Sequence, residues 1–257
     1  MITIEKRKWK DFLLKEETFK IPSDSNIIRI GAKMVPDLTY IKGLNNLREI
    51  ENLRLILSGN LFTEIPDLSF LANLRDLFLK YNKISKISNL DTCNQLIQLF
   101  LDINHIQKIQ NLEFCPSLTK LGIASNQISK IENLEQNNNL KRLNLSHNTI
   151  RKIEGLDNLE ELEYLNLSYN NISNLEHLDH LKNLRFLDLS GNTIKHIENL
   201  PYLEKLKELK LQNNNIHSLK GLEGLENLRY IHIQGNPINS SQIERFMKSH
   251  PNIHIFN

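Results

Sequence analysis

The octapeptide LNLSHNTI at residues 143–150 returns 22 residues later as LNLSYNNI at 165–172, and after another 22 as LDLSGNTI at 187–194. Its sixth residue, an asparagine, serves as a marker for the whole chain. Stepping by 22 from Asn148 in both directions reaches Asn60, Asn82, Asn104, Asn126, Asn170, Asn192, Asn214 and Asn236 without a slip. Five and three residues before each marker stands an aliphatic, from Leu55 and Leu57 to Ile231 and Ile233. That alternation is one face of a short strand. After the marker the spacing changes to three, as in Ile84, Ile87 and Leu90, which suits a tight helical turn or an extended loop. Each unit is therefore a strand and a return.

A single unit of this kind cannot bury its own aliphatics. Copies stacked side by side enclose a continuous core, which is why the period is strict. Nine parallel strands about 4.8 Å apart make a sheet on the order of 40 Å across. The marker asparagine follows the strand, where the chain turns inward and leaves backbone groups without sheet partners; an amide side chain both donates and accepts, and so can satisfy them.

The 257 residues carry 32 Lys and Arg against 30 Asp and Glu, a net charge of +2. No strong field exists to steer a polyanion, so charge does not imply nucleic acid. The opening stretch MITIEKRKWKDFLLKEETFK (1–20) never gathers the apolar run of a secretory leader, and nowhere is there a bilayer-length apolar segment. Two cysteines do not make a disulfide framework. The expectation is a soluble protein with no membrane partner, in the cytoplasm, with the nucleus as the other intracellular compartment.

The unit LKRLNLSHNTIRKIEGLDNL (140–159) resembles the leucine-rich repeat, and its length resembles the 22-residue subclass typified by the regulatory subunit of type-1 protein phosphatase. The stretch IASNQISKIENLEQNNNL (123–140) is similar to a repeat of that regulator, and NPINSSQIERFMKSHPNI (236–253) to the helix-and-proline cap that closes many intracellular members. The resemblance implies an α/β fold: a right-handed leucine-rich repeat solenoid, or horseshoe, with a parallel sheet on the concave face and short helical turns or loops on the convex face. It also implies a non-catalytic scaffold or regulatory subunit whose partner is a protein, with a phosphatase catalytic subunit as the regulator-like case. The alternative is the scaffold of an RNA–protein assembly, because a spliceosomal member of the class plays that part. One departure stands out: where Leu71 and Leu159 occupy the slot eleven residues after the marker, this chain also has Cys93, Cys115 and Asn137.

An open stack needs both ends covered. Residues 1–37 are expected to form an N-terminal cap, 38–236 the repeats and 237–257 a C-terminal cap. In the first segment MITI alternates like a strand and Trp9, Phe12 and Leu13 fall at helical spacing, beside a basic cluster of Lys6, Arg7, Lys8 and Lys10. Residues 21–50 read as a degenerate first coil, with Val35, Leu38, Ile41, Leu44 and Leu47 out of phase.

No phosphate-binding glycine loop, nucleophile elbow, paired metal-ligand cysteines or His-Glu-x-x-His segment occurs, so no catalytic residue, cofactor or metal is expected. Cys93 and Cys115 read as buried hydrophobes, His177 and His180 as surface residues, and Ser146–His147 as part of a repeat corner. Residues six, four and two before each marker owe nothing to the core and should face outward from the sheet. Among them Ile56, Phe78 and Phe100 fall in one column, rimmed by Asp76, Lys80 and Asp102. Tyr164, Phe186 and Tyr230, with Asp188, make a second and sparser set. Aromatics within a polar rim have the composition of a protein-binding hot spot, and these ten residues are the candidate partner-binding site. Gly122, Ala124, Asn144, Ser146, Asn166 and Ser168 lie between the two sets as a stretch of small or neutral side chains.

Overall fold

A repeat is most easily followed around Asn104. Leu99 and Leu101 alternate inward from the strand, and Ile106, Ile109, Leu112, Cys115 and Leu118 continue the inward set around the return; all seven are completely buried. Apolar area so removed from water is worth roughly 25 cal/mol per Å², and every coil contributes an equivalent set to one continuous core. The return is built of single turns. Cys93 N donates to Leu90 O at 2.9 Å and Leu96 N to Cys93 O at 3.0 Å, and the same three-residue step recurs through Leu156, Leu159 and Leu162.

The computed structural model describes residues 2–4, 17–19, 26–31, 35–38, 41–42, 44–197, 200 and 203–257. Its strands are β1 (Ile2–Ile4), β2 (Glu17–Phe19), β3 (Ile27–Arg29), β4 (Ile41–Lys42), β5 (Leu53–Ile56), β6 (Leu74–Phe78) and β7 (Gln98–Phe100). They continue as β8 (Lys120–Gly122), β9 (Arg142–Asn144), β10 (Tyr164–Asn166), β11 (Phe186–Asp188), β12 (Glu208–Lys210), β13 (Tyr230–His232) and β14 (His254–Phe256), with one α-helix among the described residues, α1 (Ser240–Ser249). Strands β3 and β5 to β14 form one eleven-stranded parallel sheet in chain order. Residues 22 apart sit side by side, as Leu99 beside Leu121 and Leu121 beside Leu143.

The nine-strand expectation is thus extended at both ends, by β3 before the first marker and β14 after the last. Val35 and Leu47 are buried against the first coils, with Leu38 and Leu44 partly buried. Ile41 belongs to β4, which joins β1 and β2 in a separate three-stranded antiparallel sheet. Trp9, Phe12, Leu13 and the basic cluster from Lys6 to Lys10 lie outside the described residues. At the other end Asn239 caps the N-terminus of α1, its Oδ1 accepting from Gln242 N at 2.9 Å, and the helix buries Ile243 and Phe246.

The corner after each strand has two parts. The residue just before the marker is left-handed in all nine repeats: Gly59, Tyr81, Ile103, Ser125, His147, Tyr169, Gly191, Asn213 and Gly235 have φ between 53° and 71°. This turns the chain off the sheet and lets the marker amide reach three backbone groups. Asn104 Nδ2 donates to Leu101 O at 2.9 Å and to Leu79 O of the preceding coil at 3.0 Å, while its Oδ1 accepts from Ile84 N at 3.0 Å. Asn148, Asn170, Asn192 and Asn214 repeat the arrangement. The amides form a ladder that ties each coil to the one before it.

Candidate functional site

Side chains six, four and two residues before each marker point away from the core, onto the concave face of the sheet. In the first set Phe78 and Phe100, one strand apart, stack with ring centroids 5.1 Å apart and planes 15° from parallel. Both are half-buried, as is Ile56 beside them. The charges around them are paired along the same columns: Arg54 Nε lies 2.6 Å from Asp76 Oδ2, and Lys80 Nζ 3.0 Å from Asp102 Oδ2. The same cations cover the rings, with Arg54 Cζ 5.9 Å from the Phe78 centroid and Lys80 Nζ 4.7 Å from that of Phe100.

Three expectations change here. Asp76, Asp102 and Asp188 stand on the predicted face but are buried, because their neighbours close over them. Asp102 Oδ1 also accepts from Ala124 N at 3.0 Å, and Asp188 Oδ1 accepts from Ser190 N at 3.0 Å and Ser190 Oγ at 2.6 Å. These carboxylates position other groups more than they offer themselves to a partner. Second, the stretch of small side chains does not merely separate the two sets, because at Gly122 it is part of the first. A Cβ there would stand 2.7 Å from Phe100 Cδ1 and 2.9 Å from Asp102 Oδ2, so the absent side chain is what lets the ring and the carboxylate lean across. Third, the second aromatic set is not sparse.

Tyr164 and Phe186 stack at 4.5 Å with planes 2° from parallel. Arg142 Cζ lies 4.4 Å from the Tyr164 centroid on one side and Lys210 Nζ 5.2 Å from the Phe186 centroid on the other. Tyr230, more exposed, stacks on His254 at 5.5 Å, and His232 on Phe256 at 4.4 Å. Repeat spacing does not reveal these last contacts, because β14 carries no marker. Nor does it reveal Lys141 and Arg185, which sit seven residues before their markers at the edge of the face and, with Lys120, Arg142, Glu163, Tyr164 and Phe186, line an open hollow of about 320 Å³. The signal for them lay in charge alone, one column beyond the three that alternation picks out.

The remaining candidates for chemistry are accounted for by packing. Cys93 and Cys115 are buried free thiols. Burial, with smaller contributions from nearby acidic groups, pushes Cys93 up to about 11 and Cys115 up to about 12. Neither is a thiolate near neutral pH, so neither is poised as a nucleophile. Ser146 Oγ bonds Asn144 Oδ1 at 2.9 Å while His147 stacks on Tyr169 at 4.4 Å. His177 is exposed at a left-handed turn, and His180 lies 4.0 Å from Asp157. No helix among the described residues is long and apolar enough to cross a membrane.

Against known proteins, a leucine rich repeat model matches residues 116–172, and a model of two such repeats matches 160–202 and 204–244. No curated protein matches the chain. Among solved structures it is similar to a leucine-rich repeat protein of Leptospira interrogans (26% identity, TM-score 0.67) over 83% of this chain and 62% of that one. It is also similar to internalin C2 of Listeria monocytogenes (28%, 0.58), over 62% of this chain and 70% of that one. A third similarity is to the protein of a TLR13–ssRNA13 complex (26%, 0.69), over 80% of this chain and 32% of that one. The chain therefore spans about three fifths of the Leptospira protein.

Proposed function

Because the chain is built of leucine-rich repeats, a fold used generally as a non-catalytic interaction scaffold, we propose that it binds another protein on its concave sheet and itself performs no chemistry. The observation that carries this reading is the Phe78–Phe100 stack, a half-buried aromatic pair on an open face whose neighbouring charges are already paired. Such a surface gains from covering its rings, and it pays little to desolvate charges that already neutralise one another. A regulatory or scaffolding role inside the cell, of the kind the phosphatase-regulator resemblance implies, is the finer form of the same reading. The free thiols within its core support the intracellular setting.

Changing Phe78→Ser and Phe100→Ser together tests it. Both rings lie outside the core, so the double variant should keep its circular dichroism and melting profile yet lose most of the protein that co-purifies with the parent from its source cells. Recovery equal to the parent, with the fold intact, rejects this stripe as the interface. The second reading, a scaffold beside RNA, draws on the TLR13–ssRNA13 similarity and on Lys120 and Arg142 at the middle of the sheet. A net charge of +2 weighs against it.

A further inference from the structure

The two ends of the concave face balance their charges and the middle does not. Toward the N-terminus Arg54 is matched by Asp76 and Lys80 by Asp102; toward the C-terminus Lys210 and His232 both meet Glu208, at 3.5 and 3.3 Å. Between these, Lys120, Lys141 and Arg142 have no carboxylate within ion-pair distance among the described residues, and Arg185 beside them shares Glu163 at 3.7 Å. All four cations line one open hollow of about 320 Å³, in which Glu163 is the single carboxylate.

The aromatic rings in that hollow reinforce the same sign. Arg142, Tyr164, Phe186 and Lys210 form a closed row: the two rings face each other, and each outer ring face is covered by a cation. What remains open to a partner is ring edge, and the edge carries the positive end of the aromatic quadrupole. A nucleobase, which needs a ring face to stack on, finds both taken. A carboxylate finds ammonium, guanidinium and ring-edge hydrogens together.

We propose that this hollow binds an acidic segment of a protein partner, an extended stretch rich in Asp or Glu. The cationic run covers β8 to β11, about 15 Å at a strand spacing of ~4.8 Å, which matches about four or five extended residues at ~3.3 Å each. A longer polyanion laid across the sheet would run beyond it onto Asp102 on one side or Glu208 on the other, so the fit is to a short acidic stretch and not to a continuous phosphate backbone. The inference rests on the concave face being the docking face, and it names the chemistry of what docks.

Fluorescence anisotropy of labelled octaglutamate, whose flexible ends can leave the sheet while four or five residues occupy the hollow, tests it against the full chain, with octaglutamine and a uridine octamer as the other two probes. Octaglutamate should bind, and binding should weaken about tenfold as salt rises from about 50 to about 300 mM. The triple variant Lys120→Gln, Lys141→Gln, Arg142→Gln should lower that affinity about tenfold or more. A control of equal charge change on exposed lysines away from the sheet, Lys86→Gln, Lys152→Gln, Lys195→Gln, should leave it within about twofold. The Phe78→Ser, Phe100→Ser variant should still bind octaglutamate, so a failure of this site and a failure of the aromatic stripe are read separately. Equal losses in the two lysine sets, octaglutamine binding as well as octaglutamate, or tighter binding of the uridine octamer at the same residues would each overturn the proposal.

Discussion

The left-handed corner is the feature that depends most on single residues. Nine positions adopt it, and only Gly59, Gly191 and Gly235 are glycine, with Asn213 the other residue type at home there. Ile103 is the least suited: a β-branched side chain in the left-handed region costs about 1–2 kcal/mol, and at 41% exposure it recovers little by burial. Ile103→Asn, the residue that serves the same corner at 213, should therefore raise stability by about 1 kcal/mol, or a few degrees of melting temperature. A thermal melt that moves down, or not at all, would show that Ile103 gains from packing what it loses in backbone. This corner was not legible in the sequence, because tyrosine, isoleucine, serine and histidine at the same slot hide what three glycines suggest. The marker asparagine was legible because one residue type holds all nine places.

At the level of the repeat, the amide ladder makes each coil's stability depend on its neighbour. Asn104 serves Leu79 and Ile84 in one coil and Leu101 in its own. Asn104→Leu keeps the volume and strips all three bonds, leaving buried groups unpaired at about 1–3 kcal/mol each. Chemical denaturation should show a loss of about 2–4 kcal/mol after partial relaxation; a loss under about 1 kcal/mol would mean that the backbone groups find other partners. Periodicity located β5 to β13 because each precedes a marker. It did not locate β3 or β14: position 33, five residues after Ile28, is Lys, and the chain as given stops two residues after Ile255. These strands join the sheet through backbone bonds, such as Ile30 N to Ile56 O at 2.8 Å and Ile233 N to Phe256 O at 2.8 Å, which no side-chain pattern announces. Asn137, at the leucine slot, sends its amide to Leu112 O at 2.9 Å and Cys115 O at 3.0 Å, so even this departure is absorbed by the neighbouring coil.

For the molecule as a whole, strand pairing in the parallel sheet of the described residues joins neighbouring coils, so damage at one end should stay there. Phe246 of α1 is buried over the last coils. Phe246→Ala should cost about 2–4 kcal/mol locally and speed amide exchange in β13 and β12 while leaving β7 and β8 as protected as before. Equal acceleration across all strands would instead mean one globally cooperative unit. The same locality explains how much of the candidate site could be read in advance. Alternation assigns side chains to the face, which is a property of one strand. Which cation meets which carboxylate, and which ring lies on which, depends on side chains reaching across strands 22 residues apart, so the contrast between a neutral end and a cationic middle emerges only once the coils are stacked.

In-register stacking also has a genetic corollary. Since the seams between marker-bearing coils present the same corner to the next, duplication or loss of one 66-nucleotide stretch among them would add or remove a whole coil with both new seams matched. The span between the phenylalanine pair and the basic hollow would then change in quanta of about 4.8 Å, a ruler graduated by copy number.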